Sequence, residues 1–135
     1  MRSVVLALAW LIRLLAVVQL VLGLLFWTGN AYGFVQVHML SGLLLVLGLW
    51  VQAILALRAG LRPAVPSVAI VWGVLVVGLG VSQTSLLPGD LHWLIRVLHL
   101  LVGMAAVAMA EIMARGVRQR LGAGRAARLI ASQAR

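Results

Sequence analysis

The residues best equipped for chemistry lie at the head of the last apolar stretch, where DLHWLIRVLHLLVG occupies positions 90–103. His92, Arg96, His99 and Gly103 follow one another at intervals of four, three and four, which puts all four on one face of a helix. A thinner version occurs earlier as Asn30, His38 and Gly42, with glycine again four residues after the histidine. Two imidazoles on two helices can share one metal ion if they stand at the same depth and face each other. The elements that carry them decide whether they do.

Composition assigns those elements to a membrane. The chain is 64% hydrophobic, with a mean hydropathy of +1.17, whereas soluble domains are roughly half apolar. Four apolar runs, about 4–27, 31–57, 65–87 and 91–114, each exceed the roughly 20 residues a helix needs to cross the hydrocarbon core. Turn-forming residues separate them: Thr28-Gly29-Asn30, the stretch 58–66, and Pro88-Gly89-Asp90. Asn30 and Asp90 are expected as N-caps, and Pro66 in a first helical turn. The short connections predict an all-α bundle over residues 1–114, with four transmembrane helices running up and down. The first run is too long for a signal peptide, and no convincing cleavage site follows it.

The absence of cysteine excludes disulfides, thiolate metal sites, iron–sulfur clusters and thioether-linked haem. Net charge is +9, and all eleven Lys/Arg positions are arginine. Arg2, Arg58, Arg62, Arg115, Arg118, Arg120, Arg125, Arg128 and Arg135 fall on one side of the expected membrane. The loops on the other side contain no arginine or lysine. By the positive-inside rule both termini are cytoplasmic, in a bacterial inner membrane. Topology accounts for the charge, so no nucleic-acid partner is expected. Trp27, Tyr32 and Trp93 mark the outer interface, and Trp10, Trp50 and Trp72 an inner aromatic belt. Residues 115–135 form a basic cytoplasmic tail, either solvated or lying on the surface against anionic lipid.

His38 lies eight residues after Asn30 and His99 nine after Asp90, so both stand about 12–14 Å below the outer helix ends. The two halves repeat faintly, Gly29-Asn30 recurring as Gly89-Asp90 and His-x-x-x-Gly occurring in each. The hairpins would then be related by an axis along the membrane normal. His92, two residues past its cap, belongs at the interface. Two level imidazoles in a bundle suit the axial positions of one haem b iron. Gly42 and Gly103, with Gly23, Gly78 and Gly80 on the other helices, would leave room for the macrocycle, although glycine also serves plain helix packing. Gln83 shares a stripe with Gly80 and would hydrogen-bond near the cofactor; Gln19 and Gln52 also face inward.

Several alternatives stay open at the level of sequence. Arg96 either pairs with a haem propionate through a charge-assisted hydrogen bond or snorkels to the outer headgroups from about 9 Å down. Arg13 and Glu111 either pair across the bundle or reach separately to the inner surface. The plainer reading of the histidines is a neutral imidazole bonded to serine, glutamine or a backbone carbonyl. Zinc or copper is disfavoured, since only three histidines exist and no acid lies near their level. No nucleophile–base pair, carboxylate pair or phosphate loop can be assembled from two acids and three histidines.

The run HMLSGLLLVLGLW beginning at His38 and the run VLHLLVGMAAVAMAE ending at Glu111 resemble the haem-binding helices of one four-helix half of the haem A synthase family. More loosely, they resemble small four-helix membrane b-type cytochromes. In that synthase family each half carries a histidine on its second and fourth helices at a similar separation; here they are 61 residues apart. The resemblance implies His38 and His99 as axial ligands of one haem. The family's catalytic half has a glutamate shortly before the first histidine and arginine directly after it. Here Phe34, Val35, Gln36 and Val37 precede His38 and Met39 follows, so the ligands carry over and oxidation of a haem methyl group does not.

The expectation is therefore a membrane b-type cytochrome with one bis-histidine haem in the outer half of the bundle. One haem about 13 Å below the surface cannot span a core of about 30 Å alone. It would exchange electrons with quinol or a periplasmic or membrane partner protein, as an electron-transfer protein or subunit more than a stand-alone enzyme. Homo- and hetero-oligomers both stay open. The rival reading is a cofactor-free structural or assembly subunit, and a third is a small-solute transporter gated by Arg13, Arg96 and Glu111.

Overall fold

Leucine, alanine and other strong helix formers fill the four apolar runs, and in lipid every backbone group must bond within its own segment. Each run therefore closes into a helix. The computed structural model describes residues 2–133, with 2 and 125–129 by backbone alone. Arg135, and the side chains of Arg2, Arg125 and Arg128, lie outside that description. Helix α1 runs Arg2–Trp27, α2 Val35–Arg58, α3 Ala64–Ser82 and α4 His92–Gln133. All four include a stretch long and apolar enough to cross a membrane. Their outward faces are apolar too, with Leu14, Leu40 and Val71 63, 62 and 70% exposed, and such a surface belongs against lipid. Consecutive helices pack together and α4 closes on α1. Across the bundle α2 touches α4, whereas α1 and α3 scarcely meet.

The helix ends differ from expectation in instructive ways. α2 begins at Val35, after a 3₁₀ turn Tyr32–Phe34 entered through Ala31 at φ 60°. Asn30 caps nothing; its amide donates to the Thr28 carbonyl. α4 begins at His92, two residues beyond Asp90. α3 ends at Ser82, five residues early. The Ser82 and Ser85 hydroxyls donate to the carbonyls of Gly78 and Ser82, the local competition that serine offers a helix. Pro66 does fall in the first turn of α3, where its missing N–H matters least. α4 continues beyond 114 through the basic segment and is 42 residues long in all, because arginine and alanine favour helix and no proline interrupts. At about 63 Å it is twice as long as the hydrocarbon core is thick.

The core fills the half of the bundle nearer the termini, here the terminal half. Val5, Ile12, Leu49, Met113 and Val117 are sealed there, and Ala106, Ala110 and Ala114 let α4 approach its neighbours closely. Two of the expected belt tryptophans act as tethers. Trp50 Nε1 donates to the Ile70 carbonyl at 3.0 Å and Trp72 Nε1 to the Val102 carbonyl at 2.9 Å, giving each half-buried indole N–H a partner. Trp50 fits only because position 73 is glycine; a Cβ there would overlap the indole nitrogen. The far half is finished differently. No residue of α1 beyond Leu15 is buried, and none of α3 beyond Gly73.

Candidate functional site

His38 is the fourth residue of α2 and His99 the eighth of α4, both in the far half. Because α2 and α4 form the short diagonal of the bundle, the two imidazoles meet. Their ring centroids are 6.4 Å apart with the planes tilted by 49°. The Nδ1 atom of each is buried with no hydrogen-bond partner among the described residues. A buried polar atom left unpaired costs about 1–3 kcal/mol, and such atoms are few in native folds. Each ring of this pair therefore carries a buried nitrogen that no described residue satisfies.

The other two helices crowd this pair with glycine and an aromatic edge. A Cβ at Gly80 on α3 would stand 3.2 Å from His99 Cε1, and one at Gly23 on α1 would stand 3.9 Å from His38 Cε1. Phe26 packs edge-on against His38, with centroids 5.3 Å apart and planes at 70°. A turn below, Gln19 Nε2 donates to the His38 carbonyl at 2.6 Å and to Ser41 Oγ at 2.7 Å, and Ser41 in turn donates to Val37. This network pins the backbone under His38 to α1. Phe26 and Ser41 carry no chemical motif of their own. Only Ser41's place three residues after His38 on an inward stripe could have signalled it.

The remaining expected site residues are scattered around the pair. Arg96 lies three residues before His99, half-buried, and pairs with no described residue. Gly103 faces open space. The room at Gly42 is taken by the Gln19 amide, 3.3 Å from where a Cβ would sit, so this glycine serves α1–α2 contact. Gln83 is the C-cap of α3 and half-buried, and its side chain makes no hydrogen bond among the described residues. His92 stands apart, its Nδ1 3.1 Å from the Leu86 carbonyl. At the opposite end Arg13 and Glu111 do pair, through bonds of 2.7 and 2.8 Å to the two carboxylate oxygens, with the guanidinium 4.7 Å from the Trp10 ring centre.

A metal ion bonded at about 2 Å to one nitrogen of each ring would hold the ring centres about 6 Å apart, close to the 6.4 Å between these rings, so His38 and His99 are the residues that would hold such an ion. No third histidine or acid joins them in a ligand cluster among the described residues, so a four-ligand protein cage is not formed. No family model matches the chain, and no curated protein or solved structure matches it either.

Proposed function

We propose that this chain is a small membrane b-type cytochrome that holds one haem b between His38 and His99 and takes part in electron transfer. The observation that carries the proposal is the pair of facing imidazoles with two unpartnered buried nitrogens. The resemblance of this layout, with histidines on the second and fourth helices, to the haem A synthase family and to four-helix cytochromes points the same way. Bound haem would supply one-electron redox chemistry. The chain's own residues would do the rest: His38 and His99 would hold the iron, Gly23 and Gly80 avoid side chains that would crowd the rings, and Phe26 packs on the His38 imidazole. Arg96, three residues before His99 and without an anionic partner among the described residues, would pair with a propionate. The tethers from Gln19 and Ser41 keep His38 oriented.

The arginine distribution favours a bacterial inner membrane with both termini cytoplasmic, which sets the histidines toward the periplasm. Quinol or a periplasmic or membrane protein is then the electron partner. An absorption spectrum of protein expressed with added haem tests the reading. A Soret peak and a reduced b-type α band are expected; both should vanish in His38→Ala and His99→Ala and persist in His92→Ala. Purified protein with no Soret peak despite haem supply would leave only a cofactor-free subunit.

A further inference from the structure

The terminal end of the bundle carries positive charge that the protein does not neutralise. Arg58, Arg62, Arg115, Arg118 and Arg120 gather there, and the whole chain has only two acidic side chains. Glu111 is the one at this end, and Arg13 already occupies both its oxygens. The counter-charge for the cluster must come from outside the chain.

Beside this cluster runs an apolar groove of about 230 Å³ between the start of α3 and α4, lined by Ala64, Val65, Val68, Met109 and Ile112. Its lining comes from the two helices at the level where their apolar spans end. Leu61 seats its side chain against Gly116, where a Cβ would fall 2.7 Å from Leu61 Cδ2. That contact fastens the α2–α3 connection to α4. Arg62 follows directly on Leu61, and Arg115 directly precedes Gly116, so two exposed arginines flank the point where the connection meets α4. Arg115 Nε donates to the Glu111 carbonyl at 3.3 Å, a bond to its own helix that leaves the terminal guanidinium nitrogens for another acceptor. An apolar slot beside exposed arginines matches a molecule with a hydrocarbon chain and an anionic head. Guanidinium forks bind phosphate oxygens in pairs.

We propose that this groove and Arg62 and Arg115 form a binding site for an anionic phospholipid, its acyl chain between α3 and α4 and its phosphate on the two arginines. Native mass spectrometry of the full chain in neutral detergent, titrated with phosphatidylglycerol or phosphatidylcholine, tests it. Phosphatidylglycerol should bind at least about tenfold more tightly than phosphatidylcholine, and Arg62→Gln/Arg115→Gln should remove about tenfold or more of that affinity. Millimolar inorganic phosphate, which lacks the chain, should not compete. Equal binding of the two lipids would overturn the site, as would an undiminished double variant or full competition by phosphate. Arg128→Gln, farther along α4, separates a site from diffuse attraction: a loss as large as that of the double variant would also overturn it.

Discussion

The terminal half and the far half of this bundle are built from the same four helices and the same residue types, yet only one is closed. In the terminal half Ile12, Leu49 and Met113 are sealed, and the one buried-side acid is held bidentately by Arg13. In the far half α1 and α3 bury no residue beyond Leu15 and Gly73, and two imidazole nitrogens go unpaired. Buried nitrogens left unpaired cost stability, so a bundle selected only to fold would satisfy them. The difference teaches a division of labour: one end supplies a scaffold, and the other leaves contacts for a guest to complete. On the proposed reading that guest is haem.

The sharpest way to break the comparison is to measure stability with and without haem. A ligand at a hundredfold excess over its dissociation constant stabilises the folded state by about 2.7 kcal/mol. His99→Ala should lose that whole increment when haem is present and change the thermal midpoint little when it is absent. An equal loss in both conditions would make the imidazole a packing residue and dissolve the distinction between the halves. Gly73→Ala comes next. Its Cβ would collide with the Trp50 indole, and overpacking of this kind costs about 1–3 kcal/mol. The loss should be the same with or without haem, because Trp50 belongs to the scaffold. Gln19→Leu is expected to be milder, about 1 kcal/mol for its bonds to His38 and Ser41. A spectroscopic titration should show weaker haem binding in this variant, since the tether beneath His38 is lost.

Much of this was legible in the residues themselves. Four helices followed from run length and hydropathy. Counting from Asn30 and Asp90 suggested that His38 and His99 would meet, and their rings do approach each other. The count did not give their distance from the helix ends: α2 starts three residues before His38 and α4 seven before His99, because the residues after each turn are not yet α-helical. The reach of α4 to Gln133 was not legible, since polarity marks where a helix leaves lipid and not where it stops. Nor was the role of Gly42: a glycine below a histidine reads as space, and only packing reveals that Gln19 fills it. Trp50 and Trp72 misled for a related reason. Position along a span suggests a belt, but the rotation of the helix decides whether an indole meets headgroups or a neighbouring carbonyl.

Gln52 is the exception that refines the comparison. It lies in the closed half, 1% exposed, yet its amide nitrogen and oxygen both lack a partner among the described residues. If the terminal half is a scaffold and nothing more, that amide is a residual cost of about 1–3 kcal/mol, and an apolar side chain of similar size should relieve it. Gln52→Leu is therefore expected to hold or raise the thermal midpoint in detergent, with the haem spectrum unchanged. A clear fall in the midpoint would mean the amide is bonded to an internal water, since replacing a satisfied polar group by leucine strands its partner. A change in the spectrum would instead couple the two ends across about 21 Å of helix, and the division of labour would have to be abandoned.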